Sequence, residues 1–299
     1  MRPLGIVAGL ALTVAAAGCG SSNGDSASGG KIAIVTSTNV WGSVAHAVGG
    51  DAVAVTSLIT DQNGDPHAYQ DKPQDAVALS KAALTVYNGG GYDDFFVKIA
   101  DAAGGSAKRV VAFELAAKGP GGSTNEHVWY DFGSVRKVAD KVAEELGAIA
   151  PDRKSTFDGN AKAFDAKLDE LAGRTAKIGT DHSGLNVVCT EPVPEYLLET
   201  AGVANVTPGE FSEAIEEETD PPASAIAKIN KLVSDKEVAA VVNNAQTETP
   251  VTKSLKETAN KSGIPVVDVT ETLPEGVTSY VDWMTKQVDA LATALARKP

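Results

Sequence analysis

DRKSTFDGNAKAFDAKLDELAGRTAKI, residues 152–178, decides the fold. Its apolar residues Phe157, Ala161, Phe164, Leu168 and Leu171 recur at steps of three and four, the spacing of one helical face. No proline interrupts the stretch, so it predicts one helix of about 40 Å at 1.5 Å per residue. Gly159 and Gly173 are its weak positions, because glycine raises the entropy cost of a helical backbone. On either side the pattern changes. Short apolar runs occur at 32–36, 53–59, 84–87 and 110–113 before it, and at 185–189, 238–242 and 264–269 after it. Helical patterns lie between them, at 41–48, 75–82, 95–102 and 134–149, then at 194–201, 224–232, 249–261 and 280–296. Strand and helix alternating at this spacing predict parallel sheets covered by helices. The expected fold class is α/β: two lobes, 31–150 and 180–299, each a mainly parallel sheet flanked by helices, joined by a rigid helix over 151–179. Such a connector disfavours hinge closure, so opening is expected to be local motion of loops.

Charge narrows the function. The 299 residues carry 26 Lys and Arg against 39 Asp and Glu, a net charge of −13. No block of cations offsets it, so a nucleic-acid surface, which needs clustered Lys and Arg to displace counterions, is excluded. Two cysteines, Cys19 and Cys189, make no disulfide framework. The first of them has another reading. Met1-Arg2 precedes an uncharged run over 4–18, too short to span a bilayer, which ends in Ala16-Ala17-Gly18-Cys19. This resembles a bacterial lipoprotein signal, with Ala16 where leucine is usual. The resemblance implies a signal peptide over 1–18, a diacylated Cys19, and a flexible Gly/Ser tether over 19–30. The protein would then be extracytoplasmic and lipid-anchored to the cell membrane. A cleaved signal peptide with an incidental cysteine is the plainer alternative.

Histidine is scarce, with only His46, His67, His127 and His182. His46 sits within a helical pattern and His182 in a polar loop, and both read as structural. His67 lies in Asp65-Pro66-His67 after the run 53–59, and His127 lies after the run 110–113. Glu191 follows the run 185–189, and Glu271 follows 264–269. All four stand beyond the carboxyl ends of expected strands, where α/β sheets place ligands. Facing lobes could bring them together, and two imidazoles with two carboxylates suit a divalent first-row metal. Taken singly, each is more often a solvated or hydrogen-bonded surface residue.

The motifs around them resemble the metal-specific solute-binding lipoproteins of ABC importers, which deliver zinc, manganese or iron(II). Asp65-Pro66-His67 with Tyr69-Gln70 matches a ligand motif of that family, and Leu79-Ser80-Lys81-Ala82 with Val86-Tyr87-Asn88-Gly89 matches the segment after it. His127-Val128-Trp129-Tyr130-Asp131 resembles the second motif, from which Asn125, Glu126, Tyr130 and Phe132 depart. Thr190-Glu191-Pro192 resembles the third, and Glu217-Glu218-Thr219-Asp220-Pro221 the acidic turn before a family helix. Thr270-Glu271 falls where the family more often has aspartate, which leaves Asp268 and Glu275 as rivals. The resemblance implies His67, His127, Glu191 and Glu271 as ligands of one Zn²⁺ or Mn²⁺ carried as cargo. It implies an ABC permease as partner and a monomer with no catalytic residue, and it agrees with the two-lobed reading.

Two other classes compete. A metallohydrolase would need an open coordination position, which four protein ligands close on zinc, and His-Glu-x-x-His and Gly-x-Ser-x-Gly are absent. A surface adhesin would leave the ligand set without a purpose. Two glutamates and no His-rich insert lean towards manganese, although zinc should bind the same donors more tightly. Gly89-Gly90-Gly91 reads as a tight turn rather than a phosphate cradle, because no Lys-Ser/Thr follows it. Cys189 reads as a buried thiol and Asp131 as a helix cap.

Overall fold

The computed structural model describes residues 30–60, 66, 69–116 and 125–296. The signal-like segment with Cys19, the tether up to residue 29, His67 and residues 119–123 lie outside the described residues. In chain order the first half runs β1 (Ile32–Thr38), α1 (Asn39–Gly49), β2 (Val53–Ile59), α2 (Pro73–Lys81), β3 (Leu84–Tyr87), α3 (Asp94–Ala103), β4 (Lys108–Val111), α4 (Ala112–Leu115) and α5 (Phe132–Ile149). Then comes the long α6 (Lys154–Asp181). The second half runs β5 (Asn186–Cys189), α7 (Glu195–Ala201), β6 (Ala204–Asn205), α8 (Gly209–Glu216), α9 (Ala223–Ser234), β7 (Ala240–Asn244), α10 (Pro250–Ser262), β8 (Val266–Val269) and α11 (Tyr280–Leu295).

The strands form two four-stranded sheets, ordered β2-β1-β3-β4 and β6-β5-β7-β8. All pairings are parallel, with Ile34 opposite Leu84 in one sheet and Val187 opposite Ala240 in the other. Central parallel strands are covered on both faces, which is why they read as continuous apolar runs. The two-lobed α/β expectation holds. Each sheet winds first to one side and then to the other, so each has a switch point, between β1 and β3 and between β5 and β7. Crevices open there beyond the strands' carboxyl ends.

Helix α6 spans 28 residues, about 42 Å at 1.5 Å per residue. Phe157, Ala161, Phe164, Leu168 and Leu171 are all buried, joined by Thr175 and Ile178 on the same stripe. The stripe packs against α1, α5, α7 and α11, so one apolar core runs through both halves. Neither Gly159 nor Gly173 breaks the helix. Gly179 has a packing reason: a Cβ there would lie 2.3 Å from the carbonyl oxygen of Ala201, so only glycine lets α6 and α7 approach this closely.

Three local differences from the sequence reading have physical causes. The run 110–113 is shifted: β4 begins at Lys108 and ends at Val111, and Phe113 belongs to α4. Lys108 and Arg109 are exposed on an edge strand, where charge blunts unwanted pairing. Phe113 packs over the glycine turn, where a Cβ on Gly90 would come within 2.7 Å of its ring. Strand β6 has two residues, and α8 buries only Phe211 and Ile215. Both are too short for a periodicity window to detect.

Candidate metal centre

The second sheet positions its carboxylates at the switch point. Asn244 is the last residue of β7, Glu191 lies two residues beyond β5, and Glu271 lies two beyond β8. Glu191 is 3% exposed and Glu271 5%. The Asn244 side-chain amide donates to both, 2.7 Å to Glu191 Oε2 and 2.7 Å to Glu271 Oε1. Its own oxygen accepts the Gln246 N–H at 3.1 Å, which fixes the orientation of the amide. The Thr247 hydroxyl donates to Glu191 Oε1, and Thr190 Oγ1 accepts the backbone N–H of Asn244 at 2.9 Å. Gln246 Oε1 accepts the N–H groups of Glu271 and Thr272, the latter at 3.1 Å. Two carboxyl groups are thus gathered on one neutral amide, in a site already bound to both flanking loops.

Glu271 is set apart from its rivals. Asp268 is exposed within β8, where it accepts from Asn243 Nδ2 at 2.8 Å and faces Lys256 Nζ at 3.4 Å. Glu275 is exposed past Pro274. Alternation along β7 sends Asn243 and Asn244 to opposite faces, and the neighbouring acids divide with them.

The first half contributes His127, 1% exposed, on a loop folded against the second half. Asn88, directly after β3, donates to the Glu126 carbonyl at 2.9 Å and so anchors this loop at the other switch point. Asn125 Nδ2 donates to the Pro192 carbonyl at 3.0 Å, beside Glu191, and the Tyr196 hydroxyl donates to the Asn125 carbonyl at 2.9 Å. That turns Asn125 Oδ1 towards His127, where it accepts the backbone N–H at 2.9 Å and pairs with Nδ1 at 2.7 Å. An amide oxygen can only accept, so Nδ1 carries the proton and the lone pair of the neutral ring is on Nε2. The ring lies edge-on to Trp129 and Tyr92, with centroids 5.1 Å and 6.1 Å away. Nε2 faces Glu216 Oε1 at 3.4 Å.

Further ties cross between the halves. Tyr130 donates to the Thr270 carbonyl at 2.7 Å, and its phenol is pushed well above its ordinary range by burial and by the charge of Glu271. Asn39 and Leu273 exchange two hydrogen bonds, of 3.1 and 2.9 Å, and the Tyr280 hydroxyl donates to the Trp129 carbonyl at 2.7 Å. The loops carrying Glu191 and Glu271 are therefore heavily anchored.

Among the described residues, no three His, Cys, Asp or Glu side chains stand at metal-holding spacing. The donors form two pairs, Glu191 with Glu271 and His127 with Glu216, and His67 lies outside the described residues. Sequence alone does not single out Asn125, Asn244 or Glu216. Asn125 is a departure from a motif, Asn244 lies two residues after the apolar run 238–242, and Glu216 sits on α8, which is too short to show a period.

A family model described as ZnuA, zinc-uptake complex component A, periplasmic, matches residues 34–294. The chain belongs to this family. The manganese ABC transporter substrate-binding lipoprotein PsaA of Streptococcus mitis is 25% identical, across 99% of this chain and 100% of its own length. The iron ABC transporter substrate-binding lipoprotein MtsA of Streptococcus pyogenes serotype M1 is 26% identical, across 83% and 82%. The crystal structure of a ZnuA 138–173 deletion mutant with zinc bound superposes with a TM-score of 0.76 at 22% identity, covering 90% of this chain and 100% of that one. This likeness extends to the fold: two parallel sheets with a long helix between them.

Other expectations can be placed within the ZnuA-family fold. Gly89, Gly90 and Gly91 have φ of 75°, 73° and 103°, so the turn needs glycine. The N–H groups of Asn88 and Gly89 donate to the Asp93 carboxylate at 2.6 and 2.8 Å, so an internal anion fills the would-be cradle. Cys189 is fully buried, and burial pushes its thiol far up. Asp131 caps α5, accepting from Gly133 and Ser134. His46 is exposed on α1, and His182 follows the end of α6.

Proposed function

We propose that the protein captures one divalent transition-metal ion, Zn²⁺ or Mn²⁺, between its lobes and hands it to an ABC permease. His67, His127, Glu191 and Glu271 are the ligands in this reading. The lobes divide at 31–150 and 180–299, with 151–179 as the connector. The chain is a monomer held to the outer face of the cell membrane by a lipid on Cys19, after removal of residues 1–18. The observation that carries the reading is the buried pair Glu191 and Glu271, bridged by Asn244 at 2.7 Å each. Two neighbouring carboxylates taken out of water call for a cation, and a divalent ion satisfies both at once.

The role is carriage rather than catalysis. Four protein donors fill a tetrahedral shell, whereas catalytic zinc keeps a position open for water. Adhesion alone gives these buried carboxylates no use. The metal content of the chelator-stripped and reloaded chain tests the reading. One ion per chain is expected, with tight retention lost in His127→Ala. A chain that retains neither Zn²⁺ nor Mn²⁺ after desalting would refute it.

A further inference from the structure

Glu216 lies outside the four-residue set, yet its carboxylate meets His127 at the atom on which that set depends. Asn125 Oδ1 takes the Nδ1 proton at 2.7 Å, which leaves Nε2 as the donor atom of the neutral ring. Glu216 Oε1 stands 3.4 Å from Nε2. That is longer than the roughly 2.7–2.9 Å of a charge-assisted hydrogen bond. It falls within the separation of two neighbouring ligands on one five-coordinate ion, since bonds of about 2.1 Å from Zn²⁺ to nitrogen and oxygen place adjacent donors roughly 3.0–3.6 Å apart. An ion placed between Nε2 and Oε1 would contact both atoms.

The position of Glu216 on its helix adds a second argument. It is the last residue of α8, and the final turn of that helix carries no basic residue. A carboxylate at a helix C-terminus faces the negative end of the helix dipole. Glu217 and Glu218 follow it directly. A cation held at Glu216 relieves this arrangement.

We infer that Glu216 is a further metal-facing carboxylate of this centre, sharing with His127 Nε2 the ion that the site captures. The inference rests on the metal-carrier reading and adds a ligand to it. The test uses the full chain stripped with chelator and titrated separately with Zn²⁺ and with Mn²⁺. Affinity is read by competition with a chromophoric chelator, and the first shell by X-ray absorption. The variants are Glu216→Gln, Glu216→Asp, His127→Ala and, one turn earlier on the exposed face of α8, Glu213→Gln. Glu216→Gln should weaken Zn²⁺ binding roughly tenfold or more, the scale of losing a conserved partner at a metal site. It should also alter the oxygen shell, while Glu216→Asp keeps part of the affinity and Glu213→Gln keeps all of it. The inference is overturned if Glu216→Gln binds within twofold of wild type, with an unchanged shell, while His127→Ala has lost binding. If wild type and His127→Ala bind alike, the carrier reading itself fails, and the role of Glu216 fails with it.

Discussion

Replacing Asn244 by alanine should weaken metal binding without removing any ligand. The amide holds Glu191 and Glu271 at 2.7 Å each, and Gln246 fixes its orientation. A hydrogen bond to a charged group contributes about 1.5–3 kcal/mol net. Removing two of them from a buried carboxylate pair should lower the stability of the metal-free protein by about 3 kcal/mol or more. At roughly 2–4 °C per kcal/mol for a large domain, the midpoint should fall by about 6 °C or more. The bound ion recovers part of this by neutralising the same charges. What remains is positioning, and loss of an outer partner at a metal site weakens affinity about 10–100-fold, or about 1.4–2.7 kcal/mol.

Asn243→Ala is the matched control. Asn243 is equally buried on the same strand but donates to Asp268 on the other face. It should lower the melting midpoint while leaving Zn²⁺ and Mn²⁺ affinity unchanged. Competition titration and differential scanning calorimetry on both variants separate the two effects. Asn244 is not a clamp on the pair if Asn244→Ala binds within threefold of wild type. Nor is it one if Asn243→Ala loses as much affinity, since the loss would then belong to the strand.

Glu271→Gln should reduce affinity far more than Asp268→Asn or Glu275→Gln, because only Glu271 is buried beside Glu191; isothermal titration calorimetry ranks the three. Cys189 should stay unlabelled by a thiol reagent at pH 8 in the native protein and react on unfolding, since burial pushes its thiol up and leaves negligible thiolate; native labelling at the unfolded rate would contradict this. Metal-free and metal-bound scattering curves should nearly superimpose, because α6 runs unbroken for 28 residues between the sheets; a change of several ångströms in radius of gyration would indicate a hinge.

The long helix was legible because its buried stripe from Phe157 to Ile178 repeats over about six turns, and repetition is what periodicity detects. Most strands were legible for a related reason, since burial on both faces leaves uninterrupted β-branched runs. The failures are short or compositionally quiet. Helix α8 buries two side chains, β6 pairs two residues, and Phe113 is as apolar inside a strand as in the turn that follows one. The same limit applies at the candidate centre. Glu191 and Glu271 could be picked out because a charged residue two positions beyond a strand stands out against a hydrophobic background, and His127 because histidine is scarce in this chain. Asn244 and Asn125 act through hydrogen bonds to residues 53 and 67 positions away, and no local pattern encodes those partners.

How an ion could leave so well-anchored a site follows from which donors are fixed. Glu191 and Glu271 are held by Asn244, and their loops by Thr190 and Gln246. His127 is fixed through Asn125, which is itself bonded to Pro192. A rigid α6 prevents the lobes from parting, so none of these three donors can retreat far without breaking several hydrogen bonds together. Glu216 differs. Its side chain is 19% exposed, at the end of a two-turn helix that buries only Phe211 and Ile215, and an acidic turn follows. Segments with few buried contacts open at the lowest free energy. Withdrawal of Glu216 would uncover Nε2 of His127 while the carboxylate pair keeps its hold. On the proposed carrier reading, exchange should therefore begin at α8, and amide hydrogen exchange in the metal-free protein should be faster over 209–216 than over 190–192; equal protection of the two segments would refute this order of release.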